Sequence, residues 1–81
     1  MKTLTIKAFG IARDILGGRE VTIQLEDEGT VAELRAVLEQ AHPQLKTLRS
    51  LFIAVNSAYA EDGARLLEED EIALIPPVSG G

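Results

Sequence analysis

The chain contains no cysteine, which excludes a disulfide scaffold, a thiolate metal site and a cysteine nucleophile. Any sulfur chemistry performed here has to use sulfur that the chain does not encode. Basic residues are outnumbered, eight Lys and Arg against thirteen Asp and Glu, for a net charge of −5. A domain of that sign is not expected to bind nucleic acid, whose phosphates demand Lys and Arg. It is expected instead to meet a basic partner surface, with attraction steering the encounter. No apolar run approaches the length of a membrane span, and the first residues lack the apolar core of a signal peptide. The expectation is no membrane association and a cytoplasmic location. Aromatic residues are scarce, two Phe and one Tyr with no Trp, and Tyr59, beside a turn, reads as a packing residue.

What is present suffices for one small domain. Hydrophobic residues make up 46% of the 81 positions and charged residues 26%, the balance of a folded globular chain with a modest core. Leu4, Ile6 and Ala8 alternate with Thr3, Thr5 and Lys7, which predicts a half-buried strand over 2–8. Residues 11–16 allow a turn or two of helix, with Gly17-Gly18 supplying the positive φ that a helix C-terminus often needs. Arg13 and Asp14 on that segment make at most a weak surface pair. Residues 20–25 alternate again, Val21, Ile23 and Leu25 inward, and the two strands read as a wide hairpin.

Thr30 followed by Glu33 fits a capping box. The helix it opens carries Val31, Leu34, Leu38 and Ala41 at helical spacing, widened by Val37, and Pro43 ends it. Leu51, Ile53 and Val55 predict a third strand, Asn56-Ser57 a turn, 57–60 a short edge strand and Asp62-Gly63 another turn. The last strand is 71–75, with Ile72 and Leu74 inward. One amphipathic helix can cover one face of one sheet, so the fold class is α+β in two layers. The first and last strands are expected as parallel central neighbours.

Phe9, Phe52 and Ile75 break the alternation by falling on the polar face. They are either ordinary core where strand ends bulge, or an apolar patch on the open sheet face that docks a partner. Paired central strands would bring Phe9 and Ile75 together. His42 ends the helix, where the macrodipole favours its cation, and no nucleophile or orienting carboxylate is identifiable beside it. The acidic runs 26–28 and 68–71 lack the ligand spacing of a calcium loop and read as solvated turns. No metal site is expected.

The remaining signal is the end of the sequence: Ile75, Pro76, Pro77, Val78, Ser79, Gly80, Gly81. With Gly at roughly 7% of average usage, a Gly-Gly at one end arises by chance about once in two hundred chains. Neither glycine carries a Cβ, so this segment can enter a narrow slot in another protein. The two prolines end sheet pairing and bias Ile75 toward extended geometry, and four residues from Val78 can reach about 13 Å. The expected organisation is one domain over 1–81, with 76–81 a protruding tail.

Phe9 to Gly17 (FGIARDILG), Ala54-Val55-Asn56 and above all Ile75 to Gly81 (IPPVSGG), in this strand order, resemble the ubiquitin-like β-grasp sulfur carriers. The resemblance covers essentially the whole chain and is strongest to the small-subunit branch of molybdopterin synthase. Relatives often carry an aromatic residue where this chain has Ile75, and an Asp-Gly-Asp turn where it has Glu69-Asp70-Glu71.

The resemblance implies a protein that is no enzyme alone but a sulfur-donating subunit. An adenylating partner would activate the Gly81 carboxylate with ATP, and a persulfide-bearing donor system would convert it to a thiocarboxylate. The tail would then enter the large synthase subunit and donate sulfur to the cyclic pyranopterin precursor, building the dithiolene of molybdopterin. Gly80 and Gly81 would pass the narrow entry, Pro76, Pro77, Val78 and Ser79 would hold the tail extended, and Phe9 and Ile75 would supply docking surface. No cofactor is expected to be bound; ATP belongs to the adenylating partner and the sulfur is covalent on Gly81. Two other readings stay open: a carrier serving thiazole, cysteine or tRNA-thiolation chemistry, and a ubiquitin-like interaction module without transfer chemistry.

Overall fold

The computed structural model of the protein describes residues 1–48 and 50–76. Strand β1 (Lys2–Ala8) alternates as expected, burying Leu4, Ile6 and Ala8 and exposing Thr3, Thr5 and Lys7. It pairs antiparallel with β2 (Glu20–Leu25), Leu4 opposite Ile23 and Ile6 opposite Val21, so the apolar sets of both strands share one face. Between them lies α1 (Gly10–Leu16). It stops at Gly17, whose φ of +81° is left-handed and whose N–H donates to the Arg13 carbonyl at 2.9 Å.

Helix α2 (Val31–Ala41) starts at Thr30, whose hydroxyl accepts from the Glu33 N–H at 3.4 Å. Only this half of the expected capping box forms. The other first-turn donors are met by a loop instead: Val31 N–H donates to the Ala64 carbonyl and Ala32 N–H to the Asp62 carbonyl, both at 2.9 Å. Val31, Leu34 and Leu38 are fully buried, but Ala41 is exposed and does not belong to the apolar stripe. The chain leaves α-geometry at His42, and Pro43 opens a 3₁₀ helix, Pro43–Thr47, on which Leu45 takes up the buried position. Proline can open a helical turn because the N–H it lacks would be unpaired there anyway.

Strands β3 (Phe52–Val55), β4 (Ala58–Tyr59) and β5 (Ile72–Ile75) complete a five-stranded sheet in the order β2-β1-β5-β3-β4. The first and last strands are the parallel central neighbours expected, and β3 runs antiparallel to both β5 and β4. The two-residue connection from β3 to β4 has positive φ at both Asn56 (53°) and Ser57 (71°), the backbone of a type I′ hairpin turn. Leu4, Ile6, Ile53, Ile72 and Leu74 from the sheet pack against Val31, Leu34, Leu38 and Leu45. Leu66, in the loop before β5, and Ala12 of α1 join this core. Among the described residues no helix covers the opposite sheet face. Among the described residues no helix is long and apolar enough to cross a membrane.

Candidate functional site: the open sheet face and the base of the tail

The register of the central strands decides what lies on the open face. Lys7 pairs with Ala73, Ala73 with Ala54, Ile75 with Phe52 and Ala54 with Tyr59. These residues therefore share one face, opposite to Ile72, Leu74 and Ile53. Phe9 follows just beyond the end of β1, beside Ile75.

Phe9, Phe52 and Tyr59 are 52%, 45% and 65% exposed, and they are all the aromatic residues the chain has. The core is wholly aliphatic, and every large ring has been left in water. Phe9 and Phe52 are thus not ordinary core, whereas Ile75 is half-buried. Tyr59 does pack, as expected, but on the outside: its ring stacks on Phe52. Small Ala54 and Ala73 leave room between these side chains, and a depression of about 290 Å³ lies there, lined also by Lys7, Phe9, Tyr59 and Ile75. An apolar depression rimmed by rings, the Lys7 cation and the Glu71 carboxylate is a surface suited to another protein.

A second depression, about 330 Å³, adjoins the first through Lys7 and Phe9 and is lined further by Arg13, Arg19 and Glu20. Arg13 does not pair with Asp14; among the described residues the ion pairs are Arg35–Asp62, Arg65–Glu28 and the N-terminus with Asp27. Arg13 lines this depression at the sheet end instead. The sequence pattern alone gives no sign that Lys7, Arg13 and Arg19 meet, because three separate elements bring them together.

The base of the tail is fixed by neighbouring backbone. Pro76 is half-buried beside Gly10, so close that a Cβ on Gly10 would lie 3.3 Å from the Pro76 ring. Pro76 thus leaves β5 against the start of α1. Of the expected tail residues, Pro77, Val78, Ser79, Gly80 and Gly81 lie outside the described residues.

The entry to β5 is held by a small polar network. The Asn56 amide donates to the Asp70 carboxylate at 3.0 Å, and its carbonyl oxygen accepts from the Glu71 N–H at 2.9 Å. Asp70 also accepts from the Leu67 N–H at 2.8 Å, and Glu68 from the Thr3 N–H at 2.9 Å. Much of the 68–71 acidic run is thereby turn structure. His42 caps α2, its N–H donating to the Leu38 carbonyl. Among the described residues no group of three or more His, Asp or Glu is arranged to hold a metal ion.

Comparison with known proteins places this geometry. Residues 6–81 match the model of the ThiS family. The chain is 40% identical over 77 residues to the human molybdopterin synthase sulfur carrier subunit, covering 90% of this chain and 88% of that one. The crystal structure of SAMP1 from Haloferax volcanii superposes with a TM-score of 0.83 at 28% identity, covering 98% of this chain and 99% of that one. A protein–protein complex of subunits 1 and 2 of molybdopterin-converting factor from Helicobacter pylori contains a chain similar at TM-score 0.68 and 28% identity, with 98% and 99% covered. The fold is the ubiquitin-like β-grasp.

Proposed function

The chain belongs to the ThiS family, and from that premise we propose that it is the sulfur-carrier subunit of molybdopterin synthase. The observation that carries this reading is the similarity to the human carrier subunit across about nine-tenths of both chains, on a sequence that ends in Gly80-Gly81. A free carboxylate is a poor electrophile, because charge and resonance repel an incoming nucleophile. An adenylating enzyme spends ATP to convert the Gly81 carboxylate into an acyl-adenylate, whose AMP is a good leaving group. The sulfur of a persulfide donor displaces AMP, and reduction of the acyl disulfide by a thiol leaves a thiocarboxylate. The tail then delivers that sulfur to the cyclic pyranopterin precursor inside the large subunit.

The chain's own contribution is presentation. Phe9, Phe52, Tyr59 and Ile75 form the docking surface, Pro76 leaves β5 beside Gly10, and Pro77, Val78 and Ser79 belong to the segment offered to the partner. Gly80 and Gly81 are narrow enough for a partner's slot. No cofactor resides in the chain; ATP is bound by the adenylating partner. The Helicobacter pylori assembly of two converting-factor subunits supports a large-subunit partner.

The likeness to SAMP1 of Haloferax volcanii, whose curated counterpart is called a small archaeal modifier protein, favours one second reading: the activated glycine is joined to an amine instead of receiving sulfur. Intact mass separates the two. After incubation with an adenylating enzyme, ATP and a sulfur source, a carrier gains the mass of one oxygen-to-sulfur exchange at the Gly81 carboxyl. A modifier is found on lysine side chains of other proteins. A plain carboxylate after every treatment removes both.

A further inference from the structure

We infer that the partner surface that receives the open sheet face carries carboxylates opposite a cationic pocket formed by Lys7, Arg13 and Arg19. The inference deepens the carrier reading and rests on it for the identity of the partner, the large synthase subunit.

The chain has thirteen Asp and Glu for eight Lys and Arg, so a cation has many carboxylates available. Several cations are used inside the fold. The Lys2 ammonium donates to the carbonyls of Asp27, Gly29 and Leu66. Arg35 donates to the Leu51 carbonyl at 2.6 Å and lies near Asp62, and Arg65 pairs with Glu28 at 3.2 Å. Lys7, Arg13 and Arg19 make no side-chain ion pair or hydrogen bond among the described residues, yet all three are exposed and line one depression of about 330 Å³. Glu20 lines it too, but no ion pair joins it to any of the three.

Three cations stand around one concavity against the single carboxylate of Glu20, which the β1–β2 register sets opposite Lys7, so positive charge is left in excess there. In an acidic chain this is the arrangement left when the neutralising groups come from elsewhere. Position points the same way, since Lys7 and Phe9 line both this pocket and the apolar depression. A partner covering Phe9 therefore has to cover the cations; one covered ammonium can be met by backbone carbonyls, as Lys2 is, but three cations about one concavity call for opposite charge as well. A polyanion such as nucleic acid fits poorly, because it would also face the acidic turns at 26–28 and 68–71. A folded protein surface can place a few carboxylates at the pocket and basic groups elsewhere. The partner is thus a mosaic of both signs and not uniformly basic, and the pocket fixes the orientation in which the tail is presented.

The test is calorimetric titration of the purified large subunit with the full chain. Unsubstituted protein is compared with the double variant R13E/R19E, the single variant K7E, and K46E, which reverses a charge on the 3₁₀ helix away from the open face. Binding weakened tenfold or more by R13E/R19E and by K7E, with K46E within twofold of the unsubstituted chain, is the expected result. K7E carries the test if the double variant does not fold. Binding unchanged in the pocket variants overturns the inference and leaves the carrier reading standing. Equal weakening by K46E reduces the effect to net charge and overturns it too. A large subunit that does not bind the unsubstituted chain, while binding its own established carrier in the same cell, overturns the carrier reading and this inference with it.

Discussion

The rings of Phe52 and Tyr59 lie face to face, centroids 4.9 Å apart and planes within 5° of parallel. They sit diagonally across the β3–β4 hairpin on the open face, beside Ala54, which is 5% exposed. A chain with so few aromatic residues has thus built its one ring pair outside the core.

The stack separates stability from docking. An exposed aromatic pair contributes about 0.5–1.5 kcal/mol beyond its buried area, so Phe52→Ala and Tyr59→Ala should each lower unfolding free energy in urea by about 1 kcal/mol. Phe9→Ala should cost less, since Phe9 has no aromatic neighbour. Affinity for the large subunit should fall tenfold or more in the Phe52 or Phe9 variant, as is usual for central aromatic anchors. A loss of about 3–5 kcal/mol in stability, the range for a buried ring, would mean that these residues hold the fold together and are not a docking surface.

Asn56 performs two tasks that substitution can separate. Its φ of 53° is left-handed, and its side chain bridges Asp70 and the Glu71 N–H at the start of β5. Asn56→Gly relieves the backbone but removes both hydrogen bonds; Asn56→Ala removes them and adds the cost of a left-handed φ that Asn tolerates better than Ala. The alanine variant should lose about 2 kcal/mol, from two hydrogen bonds and the unfavourable φ together, and the glycine variant about 1 kcal/mol. Equal losses would show that the turn conformation contributes nothing.

The helical layer makes a prediction by position. Leu45 on the 3₁₀ helix is buried and Ala41 at the end of α2 is exposed. Leu45→Ala should cost about 2–5 kcal/mol, while Ala41→Lys should stay within about 0.5 kcal/mol, the usual range for surface changes. Thermal melts of the two variants check the assignment, and a large effect at Ala41 would contradict the register of α2.

Strand alternation made β1, β2 and β5 legible because period two is written in neighbouring residues, and Gly17 and Pro43 marked helix ends by backbone chemistry alone. The parallel pairing of β1 with β5 followed from one helix and one sheet. What lay beyond reach depends on distant partners. Ala41 continues the helical period on paper, but Pro43 redirects the chain before the period is used, and Leu45 fills the site. Leu66 sits among turn residues and offers no pattern, yet it is wholly buried. Phe9 and Ile75 stood out by breaking alternation. Tyr59 did not, because a two-residue strand has no alternation to break, and the cationic pocket needed β1, α1 and the start of β2 to be assembled first.

Lys2 is the sharpest case of a residue whose role only the folded chain reveals. It opens a strand on the same face as Leu4 and Ile6 and is 6% exposed, with an ammonium that donates to the Asp27 carbonyl at 2.8 Å, the Gly29 carbonyl at 3.3 Å and the Leu66 carbonyl. It thereby ties β1 to the loop before α2 and to the loop before β5, where the Leu66 N–H also donates to the Gly29 carbonyl. Lys2→Met keeps the apolar stem and removes the donor, leaving buried carbonyls without a charged partner. The expected loss is about 2 kcal/mol, or roughly 10 °C in melting temperature for a domain of this size. Because the acceptors are carbonyls and not carboxylates, the loss should be the same in low and high salt, unlike that of a surface ion pair. Amide exchange at Leu66 and Val31 should accelerate, since both N–H groups bond across the two loops. A Lys2→Met protein as stable as the parent, or a difference that salt abolishes, would show that the ammonium is not what joins them.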